Sequence, residues 1–319
     1  MMAPTKEDST RIKQLRTNLE NCVLGKQDEI VLLLTAFFAG GHVLLEDVPG
    51  TGKTNLIKAL AKSIDGQFRR IQCNPDLLPS DITGVSIYHP KNEAFIFRPG
   101  PVMTNILLAD EINRATTKTQ SALLEAMEER FVTVDGESYE LPKPFLLMAT
   151  QNPIDFEGTY TLPEAQLDRF MMKFSLGYPD EAAENKMALT QSVASPLDAL
   201  EAVLTVEQVN DLQQKVKDVH IDEAVIEYTV NLTRKTRETS TIFLGASPRA
   251  TLALVQAAKS YALIQDRDFV IPDDIKYLAP FVLGHRILLH SEARMEGLTI
   301  TAVLDSVMKQ VRVPIRLER

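Results

Sequence analysis

Apolar residues recur at helical spacing in two stretches near the start of the chain. Ile12, Leu15 and Leu19 mark residues 10–22, and a second run covers residues 26–39 until Gly40-Gly41 stops it. The period then shortens. Residues 42–46 (HVLLE) read as a short apolar strand. Residues 53–64 read as a helix with Leu56, Ile57, Leu60 and Ile64 on one face, and residues 68–72 as another strand. Residues 106–110 (ILLAD) are almost wholly apolar and end in an acid, as expected of a strand buried on both faces of a parallel sheet. A helix over 119–129, with Leu123, Leu124 and Met127 as its stripe, and a strand over 145–150 (FLLMAT) continue the alternation. Strands alternating with helices predict an α/β doubly wound sheet.

Two segments interrupt that alternation. Residues 131–141 carry Asp135-Gly136 between two β-rich runs, a strong hairpin signal. Residues 88–102 offer a turn at Lys91-Asn92-Glu93, a strand at Phe95-Ile96-Phe97 and a Pro-Gly-Pro stop. Beyond Tyr178-Pro179 the periodicity is mostly helical, over 206–219, 222–237, 248–266, 272–285 and 299–311. Pro248 and Pro272 fall in first turns, where a missing N–H costs nothing. The chain has 319 residues, enough for two domains at roughly 150 residues each. The expected division is an α/β nucleotide-binding core at residues 1–178 and an all-helical domain at residues 179–319.

Composition narrows the function. A hydrophobic fraction of 45% and a charged fraction of 24% describe a globular chain. The net charge of −9 speaks against a surface built to hold nucleic acid. Cys22 and Cys73 are too few for a disulfide scaffold or a four-cysteine zinc site. His42, His89, His220, His285 and His290 show no metal-ligand spacing and are read as ordinary core or surface residues. The N-terminus is polar, and the longest apolar run, residues 30–40, is too short to span a bilayer. A reduced, cytoplasmic protein with no membrane span is expected.

The chemistry concentrates between strand 42–46 and the following helix, in EDVPGTGKT. A turn there aims backbone N–H groups and a helix dipole at phosphate, the context a P-loop needs. Gly50 and Gly52 let the backbone approach phosphate, Lys53 reaches the β- and γ-phosphates, and Thr54 places a hydroxyl on Mg²⁺. The candidate nucleotide contacts are Val48, Pro49, Gly50, Thr51, Gly52, Lys53, Thr54 and Asn55. Asp47 stands where the strict motif has glycine. Its charge disfavours a triphosphate unless it points away or is paired, so Asp47 is expected to be neutral or to weaken affinity mildly.

Asp110-Glu111 ends the buried strand ILLAD. Asp110 is positioned to hold a Mg²⁺-bound water beside Thr54, and Glu111 to orient and deprotonate the attacking water. Asn152 follows the strand FLLMAT, at the carboxyl edge where open α/β sheets bind ligands. Arg169, in LPEAQLDRF, and Arg249, in GASPR, are candidates for γ-phosphate contact, against the alternative of solvated surface charges.

Over essentially the whole chain the sequence resembles the MoxR family of AAA+ ATPases. The blocks that carry the likeness are HVLLEDVPGTGKT, CNPDLLPSDITG, ILLADEINRA, QSALLEAMEER, ATQNPIDFEGTY and LPEAQLDRFMMKF. The resemblance implies an AAA+ P-loop core with a parallel sheet and two inserted β-hairpins, then a helical lid. It implies Lys53 and Thr54 in Walker A, Asp110 and Glu111 in Walker B, and Asn152 as sensor 1. Arg169 resembles an arginine finger acting on a neighbouring subunit's ATP, with Arg114 as a second candidate, and Arg249 resembles the sensor 2 arginine. Val23 and Gly25 are implied near adenine, with ATP and Mg²⁺ held between core and lid. A homo-oligomeric ring, expected as a hexamer, a von Willebrand A domain partner and a client protein complex also follow from the resemblance. The implied activity is ATP hydrolysis driving chaperone-like remodelling. A nucleic-acid motor, a magnesium-chelatase-type motor subunit and a scaffold without turnover are the alternatives.

Overall fold

The computed structural model describes residues 5–91, 93–153, 159–190 and 196–314. Asn92 of the expected 91–93 turn and residues 154–158 of the block ATQNPIDFEGTY lie outside the described residues.

Helix α1 (Lys6–Cys22) begins four residues before the expected 10. Its start is set by a capping box, in which Thr5 Oγ1 accepts from the Asp8 N–H and the Asp8 carboxylate accepts from the Thr5 N–H at 2.7 Å. Helix α2 (Gln27–Phe38) is buried along nearly its whole length. Then follow β1 (Val43–Glu46), α3 (Lys53–Ser63) and β2 (Phe68–Gln72). A short α4 (Pro79–Thr83) leads into the hairpin β3 (Gly84–His89) and β4 (Ala94–Pro99). The core continues through β5 (Ile106–Asp110), α5 (Thr117–Glu129), the hairpin β6 (Phe131–Val134) and β7 (Glu137–Glu140), and β8 (Leu146–Gln151). A single turn, α6 (Glu164–Leu167), precedes β9 (Met172–Phe174).

Five of these strands form a parallel sheet in the order β2-β5-β8-β1-β9. Side chains alternate across it, as the two-residue period requires. Val43, Leu45, Ile106, Leu108, Leu146 and Met148 face one apolar cluster with α1, α2 and α3. Leu44, Leu107, Ala109, Leu147 and Ala149 face a second, with α5 and the bases of the hairpins. Both faces of β5 and β8 are therefore covered, which explains their unbroken apolar runs. Register aligns Glu46 with Gln151 and Gln72 with Asp110, so the carboxyl ends of β1, β2, β5 and β8 meet at one edge.

In the second hairpin Asp135 and Gly136 both have positive φ, 52° and 84°, the backbone of a two-residue I′ turn. The first hairpin is longer than the sequence pattern suggests, its first arm starting at Gly84 rather than Tyr88. The inserts touch: Phe97 stacks on Tyr139 with ring centroids 3.9 Å apart.

After β9 come α7 (Glu181–Thr190), α8 (Val206–Asp218), α9 (Glu223–Glu238), β10 (Ile242–Leu244), α10 (Pro248–Ile264) and α11 (Pro272–Leu283). The described chain closes with β11 (Leu288–Leu289), α12 (Ser291–Met295) and α13 (Ile300–Gln310). This region is predominantly helical. Among the described residues the antiparallel pair β10–β11 departs from this, and is too short to leave a period in the sequence. Helix α7 also escaped the periodicity, because Ala183 alone is buried along its described face. The apolar cluster of α1–α3 runs unbroken into this helical region through Leu204, Leu212, Leu254, Leu278 and Leu304. Helix α10 packs mainly on α2 among the core elements. Polar ties reinforce the seam: Gln213 Nε2 donates to the Phe37 carbonyl at 2.7 Å, and Lys215 pairs with Asp8 at 2.6 Å.

Candidate active site

The chain leaves β1 at Glu46, turns through residues 47–52 and enters α3 at Lys53. Gly50 and Gly52 take φ of 87° and 89°, a region that L side chains rarely adopt, and Gly52 caps α3. The N–H groups at the start of α3 thus face a cleft of about 270 Å³. It is lined by Asp47, Pro49 through Asn55, Arg70, Gln72, Asp110, Glu111, Thr150 and Asn152. Lys53 Nζ donates to the Asp47 and Val48 carbonyls at 3.3 and 3.2 Å. Thr51 Oγ1 is buried with no hydrogen-bond partner among the described residues. A curled lysine resting on its own loop, a helix N-terminus and an orphaned hydroxyl fit a phosphate ligand.

Asp47 is part of the lining, but its carboxylate is taken up by the segment after β9. It is 4% exposed, and its carboxylate accepts from Ser175 Oγ at 2.7 Å, Leu176 N–H at 2.6 Å and Gly177 N–H at 2.9 Å. Nearby, the buried Lys26 donates to the Tyr178 carbonyl at 2.8 Å. The acid that breaks the glycine pattern therefore fastens the phosphate loop to the segment leaving β9.

At the end of β5, Asp110 Oδ1 accepts from Thr150 Oγ1 at 2.8 Å, and Oδ2 accepts from Arg70 Nε at 2.9 Å. Arg70 also pairs with it through a terminal nitrogen at 2.7 Å. Glu111 adopts a left-handed conformation, φ 56° and ψ 51°, rare for a non-glycine residue. Its N–H donates to Thr150 Oγ1 at 2.9 Å, so one hydroxyl serves both acids. Its carboxylate accepts from Gln72 Nε2 at 3.1 Å and lies 3.4 Å from an Arg114 nitrogen. Burial, with the carboxylates of Asp110 and Glu111, pushes the Cys73 thiol up to about 12, so it stays protonated and inert. Among the described residues no group of three potential ligands of the His, Cys, Asp and Glu type stands ready for a metal. A cation here would rely on Asp110, the Thr54 hydroxyl and the phosphates, a set of hard oxygen donors suited to Mg²⁺.

Lys53, Thr54, Asp110, Glu111 and Asn152 thus come together in one cleft. Val23 packs behind it, where a Cβ on Gly52 would lie 3.6 Å from a Val23 methyl, and Gly25 faces Ala183 at the start of α7. Arg169 and Arg249 do not line the cleft of their own chain. Both reach Glu128 at the end of α5: Arg169 Nε lies 2.9 Å from one carboxylate oxygen and an Arg249 nitrogen 2.8 Å from the other.

Arg70, Gln72 and Thr150 line the cleft without having been read from sequence. Arg70 and Gln72 sit two apart on β2, hence on one face, but only the pairing of β2 with β5 reveals that this face meets the acids.

Comparison with known proteins agrees with this geometry. Residues 42–172 match the ATPase family associated with various cellular activities (AAA), and residues 234–307 match an AAA lid domain. The Bacillus subtilis protein YeaC is 53% identical over 94% of this chain and 93% of its own length. The chaperone MoxR1 of Mycobacterium tuberculosis is 40% identical over 93% of this chain and 80% of its own. The MoxR protein of Paracoccus denitrificans is 30% identical, covering 95% and 96%. A crystal structure of a putative ATPase from Cytophaga hutchinsonii superposes with a TM-score of 0.90 at 40% identity, covering 96% of both chains.

Proposed function

The chain belongs to the MoxR family of AAA+ ATPases, and from that membership we propose that it couples ATP hydrolysis to chaperone-like remodelling, maturation or activation of a client protein complex. The observation that carries the reading is the meeting of the phosphate loop, Asp110, Glu111 and Asn152 in one cleft, with two arginines tethered outside it.

Within the cleft, loop N–H groups and Lys53 bind the phosphates. Thr54 and Asp110 hold Mg²⁺, which when bound neutralises charge on the phosphate oxygens. Glu111 accepts the proton of the attacking water, and Asn152 orients that water or the γ-phosphate. Thr150 keeps the two acids at fixed spacing through its single hydroxyl. Val23 and Gly25, beside the loop, are assigned to the adenine end.

Arg70 donates to Asp110 Oδ2, the oxygen a bound cation would need, and would compete with it. Arg70 is half-exposed although Asp110 is nearly buried, so solvent screens the pair from one side and it contributes on the order of 0.2–1 kcal/mol. Arg70→Ala is therefore expected to lower the Mg²⁺ concentration needed for half-maximal binding of a fluorescent ADP analogue by about 1.4- to 5-fold. A higher requirement would mean that Arg70 supports the ligand instead.

Arg169 serves the nucleotide of an adjoining subunit, which makes a homo-oligomeric ring, by family expectation a hexamer, the active form, while Arg249 is the sensor 2 arginine of the helical lid and a candidate contact for the γ-phosphate. No helix among the described residues is long and apolar enough to cross a membrane. The first hairpin exposes Val85, Ile87, Tyr88, Phe95 and Ile96. That surface suits an apolar protein segment better than a phosphate backbone, and favours a protein client over nucleic acid. A von Willebrand A domain protein completes the proposed assembly.

Glu111→Gln tests the core of the proposal. Loss of a general base lowers turnover by about 10²–10⁴-fold while nucleotide affinity holds. The trapped protein should then retain its client in a pull-down with ATP. Near-normal phosphate release from this variant would remove Glu111 from the chemistry.

A further inference from the structure

Arg286 ends the short turn after α11 and is 7% exposed, although it does not line the cleft. Its Nε lies 2.7 Å from Asp168 Oδ1. One terminal nitrogen donates to the carbonyls of Asp168 at 2.9 Å and Phe170 at 2.7 Å. The other donates to the Val282 carbonyl at 2.7 Å and, at 3.4 Å, to that of Met171. The neighbouring His285 is partly buried, and desolvation of its ring pulls the imidazole down to about 3, so it is neutral and donates Nε2–H to the Phe170 carbonyl at 2.9 Å. From the N-cap of α10, Ser247 Oγ donates to Asp168 Oδ2 at 3.1 Å. The residues on both sides of Arg169 are thus held by the helical region. The Arg169 side chain shares Glu128 with Arg249 of the same region.

Burying a guanidinium is costly unless it is paired and fully hydrogen-bonded. Here the two terminal nitrogens are filled by four carbonyls, three of which belong to the segment carrying Arg169, and Nε adds a close ion pair with Asp168 without hydrogen-bond alignment. Burial lowers Arg286 to about 10 against the raising effect of Asp168, so it stays charged at neutral pH. Such a grip matters for catalysis because misplacing a reacting partner by about 1 Å can cost about 10² in rate. We infer that the helical region positions Arg169: Arg286 fixes its backbone, and Arg249 with Glu128 fixes its side chain, so that lid and arginine meet the adjoining subunit's triphosphate as one unit. This rests on the reading that Arg169 acts on a neighbour. Arg286, Ser247 and Glu128 are positioning residues and touch no substrate.

Arg286→Lys keeps a charge beside Asp168, but a single ammonium cannot serve the carboxylate and the carbonyls together. In the full chain at ring-forming concentration, kcat should fall at least tenfold while the Kd for a fluorescent ADP analogue stays within about twofold. The decisive arm mixes Arg286→Lys with Glu111→Gln. In mixed rings the Glu111→Gln subunit offers a well-held Arg169 to the intact cleft of its neighbour. Activity should therefore exceed the sum of the two variants severalfold, a rescue that a merely unstable subunit cannot give. Arg169→Ala mixed with Glu111→Gln is the control. Rescue in the control alone, or a kcat for Arg286→Lys within twofold of the parent, overturns the positioning role. Silence in both mixtures overturns instead the action of Arg169 on a neighbour. Should Arg286→Lys not fold, Glu128→Gln, a third exposed and neutral in shape, takes its place in each arm with the same expected and contrary results.

Discussion

Arg169→Ala is expected to lower ATP turnover by about 10³-fold or more at ring-forming concentration, with nucleotide affinity unchanged. The guanidinium supplies charge where the transition state of phosphoryl transfer develops it, and an arginine delivered from another subunit is worth about 10³–10⁵ in rate. Glu128 orients Arg169 for that task without binding it tightly. Their ion pair is about one-third exposed on both sides, and pairs of that kind contribute under about 1 kcal/mol. Steady-state phosphate release, read beside analogue binding, separates the two effects. A loss below tenfold would pass the role to Arg114, whose guanidinium lies 3.4 Å from the Glu111 carboxylate.

Asp47→Ala should destabilise the fold by about 2–4 kcal/mol. The substitution strands the Leu176 and Gly177 N–H groups and the Ser175 hydroxyl, all of which now donate to one buried carboxylate. Hydrogen bonds to charged groups are worth about 1.5–3 kcal/mol each in stability, and stranded donors lose their full solvation. Urea unfolding checks the value, with the midpoint falling and the slope steady. A change under about 1 kcal/mol would mean that water replaces the carboxylate without cost.

How much of this was legible beforehand differs between elements for physical reasons. Strands β5 and β8 declared themselves because burial on both faces demands uninterrupted apolar residues. The second hairpin did so because a two-residue loop with positive φ at both positions demands residues such as Asp135-Gly136. Lys53, Thr54, Asp110 and Glu111 were readable from local chemistry, and the structure gathers them with Asn152. Arg70, Gln72 and Thr150 were not, since their importance depends on which strand lies beside which. Asp47 was visible as an anomaly but not as a tether, because its partners lie some 130 residues away, at 175–177. Arg286 carried no signal at all. An arginine in LGHRILL looks like any charged residue until the chain folds its neighbours against residues 168–171. Helix α7 was hidden by its lack of an apolar stripe.

The unbroken apolar cluster from α1 through α13 has one more implication. Slack between the α/β half and the helical half of a single chain would require prising apart close-packed side chains such as Leu34, Leu212 and Leu254, all essentially inaccessible to solvent. In a closed circle of such chains the compliant joints therefore lie where one copy abuts the next. Each turnover would tilt whole copies against one another, and the stroke delivered at the tips of the hairpins would be measured by that tilt.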